Sequence, residues 1–409
     1  MTRRSGPLSH VRVLDLSRIL AAPWASQILA DLGADVIKVE RPGAGDDTRT
    51  WGPPWLKDAE GNDTREAGYY LAVNRGKRSI TVAIDRPEGQ AIIRELATSC
   101  DIVLENHKAG SLARYGLDEA SLRAINPRLI YCSVTGFGQT GPRREQPAYD
   151  FLIQAMGGMM SVTGERDDRP GGGPQKVGVP IVDLMTGMYA TVAVLAALAR
   201  RNETGVGDTI DIAMLDVQVA TLANQAMNHL LSGRDPVRTG NAHPNIQPQD
   251  IFRCRDGDFI LVVGNDGQFA KLCTALAHPQ WAQDARFATN PQRVRHREAL
   301  RETLQQAFGN WPRGELMAAL DAAGVPAGPI NTVSQVFADP QVVARGMLTE
   351  VAHPHGVKAP QLRSPIRFAD AALQATDAPP LLGQHSDGIL AELGYDAATI
   401  ARLRNDGVI

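Results

Sequence analysis

The chain has 409 residues, more than the roughly 250–300 at which a single hydrophobic core stops growing, so two domains are expected. Apolar residues make up 43% and charged residues 21% of the chain, a balance that is typical of a globular protein and excludes a disordered one. A net charge of −3 offers no electrostatic attraction to nucleic acid or to an anionic membrane, and neither partner is predicted.

Alternating strand and helix patterns predict a doubly wound α/β domain in the first half of the chain. Short β-branched runs predict parallel strands, with helical periodicity between them, at 11–16, 35–40, 78–85, 101–106, 129–137 and the start of 207–216. Ligands of such folds bind beyond the carboxyl ends of the strands. The turn after the first strand reads SRILAAP and has no glycine, so the dinucleotide fingerprint is absent.

A long apolar helix is predicted within 177–201, with one acid, Asp183, at its start. A helix that is apolar on all faces belongs in a core or an interface, and the ordinary sequence around it argues against a membrane span. The helix dipole favours an anion at the position of Asp183. A simple N-cap is the alternative to a functional role.

Proline-rich crossings divide the rest of the chain. Residues 232–250 contain three prolines, and 251–264 carry a hairpin signal around Asp256 and Gly257. Helical patterns follow at 268–276, 297–308 and 314–323. The predicted organisation is a large domain at 1–231, a linker at 232–250, a small α/β domain at 251–325, and a return to the large domain at 326–409.

The sequence has no pattern typical of a metal site, a hydrolase or a nucleotide-binding loop. The spacing of His353 and His355 suits neither a helix face nor a zinc site, so no metal is predicted, and no G-x-S-x-G hydrolase motif occurs. The loop GGGPQK at 171–176 lacks the spacing of a P-loop, so it is interpreted as a flexible loop rather than a nucleotide site.

Four cysteines without C-x-x-C pairing predict buried free thiols. No apolar segment follows the N-terminal arginines, so no signal peptide is indicated and a cytoplasmic location is expected.

A series of motifs extends in order over nearly the whole chain. They are DLSRILAAPWASQILADLGADVIKVERPGAGDDTR near the N-terminus, NRGKRSITVAI from Asn74, ENHKAGSLARYGL from Glu105, SVTGFGQTGP from Ser133, YDFLIQAMGGMMSVTGE from Tyr149, VGVPIVDLMTGMYA from Val177, GNDGQF from Gly264, AGVPAGPIN from Ala323 and PLLGQHSDGILAELG from Pro380. Together they resemble class III coenzyme A transferases, the family of formyl-CoA and carnitine-CoA transferases.

The resemblance implies that Asp183 is a nucleophile that forms a mixed anhydride and then an aspartyl-CoA thioester. A carboxylate suits this role because transfer between two acids must preserve the activation of the thioester. Backbone N–H groups near Asp183 or in the glycine-containing loops are candidates to stabilise the oxyanion. An acyl-CoA thioester and a carboxylic acid are the implied substrates, and no permanently bound cofactor is expected.

The resemblance also implies the other site residues. Tyr149, Asp150 and Leu20 match positions near the active acid. Coenzyme A is expected to contact Ile19, Arg41, Lys77, Arg78, Asn106, Lys108, Ala109 and Arg114, with the basic side chains at the phosphates. Taken alone, Arg41 or Arg78 is more typical of a solvated surface charge.

The superfamily also contains α-methylacyl-CoA racemases, which need a second acid/base group. Their histidine position is Tyr149 here, and a phenol is a poor base, so a transferase is favoured. A CoA-binding protein without turnover is a further alternative, against which an intact Asp183 argues.

Two runs, GERDDRPGGGPQKVGV and TGNAHPNIQP, are most similar to members that use dicarboxylic acids such as succinate, glutarate or their hydroxymethyl derivatives. Leu20 in place of a glutamine, and the lack of a glycine run near 245–249, argue against oxalate or formate. Family members are interlocked homodimers, so a homodimer is expected.

Overall fold

A computed structural model describes residues 5–371, 373 and 377–409. Its contacts divide the chain into two compact units. The first contains the described residues up to Met159, Val177–Ala226 and Gln341–Ile409, and the second contains Met160–Lys176 and Met227–Pro340. A large domain built from both ends of the chain is thus confirmed. Residues 160–176, 227–231 and 326–340 group with the second unit rather than the first, as does the predicted linker 232–250, because periodicity identifies elements without showing which core they join.

The strands follow the predicted alternation. They are β1 (Arg12–Asp15), β2 (Asp35–Glu40), β3 (Trp55–Lys57), β4 (Asp63–Ala67), β5 (Arg78–Thr81), β6 (Ile102–Glu105), β7 (Ile130–Thr135), β8 (Thr209–Ala213), β9 (Gln249–Cys254), β10 (Gly257–Val262), β11 (Ala327–Pro329), β12 (Leu348–Ala352) and β13 (Lys358–Leu362).

The helices are α1 (Ala21–Asp31), α2 (Gly68–Leu71), α3 (Pro87–Ser99), α4 (Glu119–Ile125), α5 (Asp150–Met156), α6 (Met159–Val162), α7 (Ile181–Thr204), α8 (Met214–Thr221), α9 (Ala223–Ser232), α10 (Asp266–Ala275), α11 (Asn290–Arg295), α12 (Arg297–Phe308), α13 (Arg313–Ala322), α14 (Val333–Ala338), α15 (Pro340–Ala344), α16 (Ser386–Glu392) and α17 (Ala397–Asn405). Short 3₁₀ segments cover Asp47–Thr50, Ser111–Tyr115 and Pro279–Gln283.

The first unit is built on a six-stranded parallel sheet in the order β5-β2-β1-β6-β7-β8. Side chains alternate between its two faces, so that Leu14 joins one apolar layer and Val13 joins the other. The strand order reverses between β1 and β6. In a doubly wound sheet, the carboxyl ends at such a reversal form a crevice in which ligands bind.

Helix α7 packs along α1 through a close contact at Gly187. A Cβ at this position would lie 2.5 Å from the carbonyl oxygen of Ala21, so only glycine permits the approach. The contact brings the first turn of α7, with Asp183, next to the turn that precedes α1. One face of α7 is buried, but Met188, Tyr189 and Val192 are exposed. The helix is long and apolar enough to cross a membrane by length and composition, but this is weak evidence for a span, because a buried core helix passes the same test.

The second unit contains an antiparallel sheet in the order β11-β10-β9. The predicted hairpin is present, with Gly257 paired to Cys254 across the turn. Its core includes Phe252, Phe259 and Phe308, whose rings pack with centroids 5.0–6.2 Å apart.

Candidate active site

The turn between β1 and α1 adopts a conformation that its residues rarely take. Ile19 has a φ of 73°, which is a genuine outlier for a β-branched residue. Asp46 accepts a hydrogen bond from the backbone N–H of Ile19 at 3.2 Å. Asn106 accepts from the N–H of Arg18 at 2.9 Å and donates to its carbonyl oxygen at 2.6 Å. Side chains therefore hold a turn that glycines form in dinucleotide-binding folds, and such strain is characteristic of functional sites.

A buried ion pair supports this turn from below. The ammonium of Lys38 donates to Asp46 at 2.8 Å and to the carbonyl oxygen of Ser17 at 3.0 Å. Neither charged side chain is accessible to solvent. Burial by itself would raise the pKa of Asp46, but the charge of Lys38 and hydrogen bonds from Thr48 lower it to about 2. Asp46 is therefore ionised at neutral pH and can hold the Ile19 N–H.

Lys77 and Arg78, both predicted to bind CoA, are engaged elsewhere in the scaffold. Lys77 is buried, and its ammonium donates to Asp15 at 3.2 Å and to the carbonyl oxygen of Pro23 at 3.0 Å. Burial lowers the pKa of Lys77 to about 8, although Asp15 opposes the shift. The guanidinium of Arg78 forms ion pairs with Asp35 and Glu392 at 2.6 and 2.7 Å. Neither residue lines the two cavities described below.

Asp183 lies in the first turn of α7 but does not cap it. The N-cap residue is Pro180, and Asp183 stands three positions later. The carboxylate of Asp150 accepts from the N–H groups of Val182 and Asp183 at 2.8 and 3.2 Å. Gln154 donates to the other oxygen of Asp150 at 2.6 Å and holds it in place. The cap interpretation of Asp183 is therefore wrong, because the side chain of Asp150 has that role.

The environment of Asp183 makes its carboxylate unusually basic. Burial, followed by the negative charge of Asp150, raises the pKa of Asp183 from 3.8 to about 7. The effect extends to Tyr69, whose pKa is raised to about 12 by burial and by the charges of Asp183 and Asp150. No described residue forms an ion pair with Asp183. A desolvated acid without a cationic partner is characteristic of a functional group rather than a structural one.

A cavity of about 200 Å³ lies at the carboxyl ends of the strands, at the reversal of strand order. Of the predicted site residues, it brings together Ile19, Leu20, Asn106, Lys108, Ala109, Tyr149 and Asp183. Leu20 is buried, whereas Tyr149 is 60% exposed. Asp150 does not line the cavity, but it holds the start of α7 in place through its hydrogen bonds to the N–H groups of Val182 and Asp183.

A second cavity, of about 610 Å³, adjoins the first through shared lining by Arg18 and His107. It contains the predicted residues Arg41 and Arg114. Arg18 and Arg41 both contact Asp47, each at 3.0 Å. The two cavities together form a continuous surface from Asp183 to a cluster of arginines.

Sequence reasoning missed several lining residues of these cavities. They are Arg18, Lys38, Asp46, His107, Arg144 and Gln146. Arg18 could have been found from its place in the glycine-free turn, since every residue there lies at a strand end. Lys38 and Asp46 gave no such signal, because their interaction depends on the folding of the chain after β2.

Comparisons with known proteins agree with this geometry. The model of CoA-transferase family III matches residues 8–386. A succinate–glutarate CoA-transferase of Agrobacterium fabrum is 50% identical over 96% of this chain and 97% of its own length. The human succinyl-CoA:glutarate CoA-transferase is 42% identical over 98% of this chain and 90% of its own. The crystal structure of a CAIB/BAIF family protein from Brucella suis, 52% identical, matches with a TM-score of 0.82 over 95% of this chain and 100% of that one.

Proposed function

Because this chain belongs to CoA-transferase family III, it is a CoA-transferase, and we propose that Asp183 is the carboxylate that carries the acyl group and then CoA. The observation that supports this role is the geometry of Asp183. It is a desolvated acid without an ion-pair partner, at the switch point of the sheet, in a cavity next to a cluster of arginines.

The transfer runs through two carbonyl exchanges. An oxygen of Asp183 attacks the thioester carbonyl of the donor, the C–S bond breaks, and a mixed anhydride and a CoA thiolate form. The thiolate then attacks the carbonyl carbon of Asp183, which gives an aspartyl-CoA thioester and releases the donor acid. The acceptor acid reverses both steps and leaves with CoA, so that no water and no net proton are consumed.

The basic character of Asp183 favours the first step. A carboxylate that has lost part of its hydration is a stronger nucleophile than one in water. With a pKa of about 7, Asp183 is ionised in a large fraction of molecules at neutral pH without help from a general base.

Asp150 orients the nucleophile rather than reacting itself. Its carboxylate occupies the N–H groups of Val182 and Asp183, and the N–H of Leu184 donates to the carbonyl oxygen of Pro180 at 3.1 Å. The start of α7 therefore has no donor left for an oxyanion in this structure. We infer that the oxyanion receives its hydrogen bonds from the loops after β1, β6 or β7, whose ends line the cavity.

The larger cavity suits the nucleotide part of CoA. Arg18, Arg41 and Arg114 are exposed or half-exposed guanidinium groups that can bind phosphates. Lys77 and Arg78 have the different role of scaffold ion pairs, and they support the strands that end at this cavity.

The similarity to succinate–glutarate and succinyl-CoA:glutarate transferases supports dicarboxylic acids as donor and acceptor. Incubation with succinyl-CoA and glutarate should yield glutaryl-CoA, measured by chromatography. Absence of any CoA transfer, together with deuterium exchange at the α-carbon of a 2-methylacyl-CoA, would contradict this proposal in favour of a racemase.

A homodimer and a cytoplasmic location stay proposals. Support for a dimer comes from apolar side chains that are solvent-exposed in a single chain, such as Val192 on α7 at 60% and Leu231 on α9 at 82%. Light scattering on a size-exclusion column should give twice the mass of the chain, and a monomer at micromolar concentration would contradict the dimer.

A further inference from the structure

The cavity around Asp183 contains more positive charge than its nucleophile needs. Among the described residues that line it, Asp183 is the only acid, whereas Arg18, Lys108 and Arg144 are cationic. A substrate with one carboxylate would place a neutral tail beside this excess charge. A dicarboxylic acid brings a second anion that stays charged throughout the reaction, and a desolvated anion needs a partner.

The three cationic residues differ in their existing contacts and in their positions in the fold. Arg18 forms an ion pair with Asp47 at 3.0 Å and also lines the larger cavity, so it belongs to the side on which the nucleotide is placed. Lys108 follows β6, in the segment that also contains Asn106 and Arg114. Arg144 instead lies in the loop between β7 and α5, close in sequence to Tyr149 and to the Asp150 that orients the nucleophile.

Arg144 is available to a ligand. Its guanidinium contacts the carboxylate of the neighbouring Glu145 at 3.8 Å, and both side chains are more than half exposed. Such a pair contributes little, and an incoming carboxylate can replace it. The planar guanidinium can hold a carboxylate through two parallel hydrogen bonds, which fixes both its distance and its orientation.

We propose that Arg144 binds the distal carboxylate of the acyl group and thereby selects dicarboxylic acids over monocarboxylic acids of the same length. The proposal rests on the proposed function, in which Asp183 reacts with the proximal carboxyl group. Arg144 is then a specificity-determining residue that contacts the substrate but takes no part in bond making.

The chain offers a matched control in the adjacent Arg143. This residue has the same charge and lies in the same exposed loop, but it does not line the cavity, and its guanidinium donates to Gln146 at 3.2 Å. A general electrostatic effect of the loop would appear in Arg143→Gln and in Arg144→Gln alike. A specific contact with the substrate would appear only in Arg144→Gln.

The test compares glutarate with pentanoate, in which a methyl group replaces the distal carboxylate. Arg144→Gln should lower kcat/KM for glutarate on the order of 100-fold and leave kcat/KM for pentanoate within about threefold. Arg144→Lys should recover part of the loss, and Arg143→Gln should change neither value. If pentanoate turns over too slowly, its inhibition constant against glutarate serves as the second readout.

An equal loss for both acids, or no loss for glutarate, would overturn the proposal. Preference of the unaltered protein for pentanoate would also overturn it while leaving CoA transfer intact. Failure of the unaltered protein to move CoA to any acid would instead contradict the proposed function. Thermal melting of each variant excludes a folding defect, which is not expected because both arginines are exposed.

Discussion

Two cavities of the chain differ in a way that shows which physical property identifies a site. The cavity in the second unit, of about 710 Å³, is lined by five arginines and five acids, Arg166, Arg169, Arg238, Arg297, Arg301, Glu165, Asp167, Asp168, Asp250 and Glu298. The cavity at Asp183 has about 200 Å³. Size alone would select the cavity in the second unit rather than the one that contains the proposed nucleophile.

The charged side chains that line the cavity in the second unit neutralise each other. Arg301 contacts Asp250 at 3.0 Å, Arg166 contacts Asp168 at 2.8 Å, and Arg238 pairs with Asp167. Asp183 has a carboxylate beside it instead of a cation, and the neighbouring turn is strained at Ile19. The difference indicates that unfavourable, uncompensated features mark chemistry, because a structure selected only for stability would remove them.

The largest expected effect comes from Asp183→Asn. Loss of the proposed nucleophile should lower kcat at least about 1,000-fold, because an amide cannot form the anhydride. A variant with near-normal turnover would contradict the conclusion that the cavity at Asp183, rather than the cavity in the second unit, is the catalytic site.

The same substitution should stabilise the fold above neutral pH. The folded-state pKa of Asp183, about 7, exceeds the unfolded value of 3.8, so the folded state holds the proton more tightly and loses stability as pH rises between these values. Asn carries no charge and avoids this loss. Melting temperatures of variant and unaltered protein should diverge from pH 5 to pH 8, with Asp183→Asn higher, and parallel curves would contradict the assigned pKa.

The buried support of the strained turn provides the next test. Lys38→Met leaves Asp46 as an uncompensated buried charge and should destabilise the protein by about 3–5 kcal/mol. In the fraction that folds, the turn loses the hydrogen bond from Lys38 to the carbonyl oxygen of Ser17, so KM for the acyl-CoA should rise more than kcat falls. Denaturant unfolding and steady-state kinetics separate the two effects. An unchanged KM would show that the turn does not contact CoA.

A smaller effect is expected in the pH dependence of kcat/KM. In the proposed mechanism ionised Asp183 is the reactive form, so kcat/KM for the acyl-CoA should rise with pH through about 7 and then level off. A profile that is flat from pH 5.5 to pH 8 would contradict a raised pKa in the free enzyme.

The smallest effect is expected in the second unit. Arg301→Gln breaks a partly exposed ion pair with Asp250 and should change stability by less than about 1 kcal/mol and kcat/KM by less than about twofold. A large loss of activity would show that the cavity in the second unit takes part in the reaction.

Much of the fold follows from sequence because its signals are local. The strand β2 and the helix α12 have the predicted bounds, and the hairpin at Gly257 follows from its turn residues. The hairpin of β12 and β13 was missed, since Pro360 within it disfavours a strand. The family resemblance predicted that Asp150 lies near Asp183, but local patterns could not predict its hydrogen bonds to α7, because the contact joins residues 33 positions apart in the chain. Lys77 and Arg78 show the same limit, since a basic side chain alone does not reveal whether its partner is a ligand or a buried acid.

The most direct measurement is intact-mass analysis and peptide mapping after mixing the protein with succinyl-CoA and trapping with hydroxylamine or borohydride. A modification confined to the peptide that contains Asp183, and absent from Asp183→Asn, is the predicted result. Turnover of succinyl-CoA and glutarate without any adduct on Asp183, or with an adduct on another residue, would contradict the central role of this carboxylate.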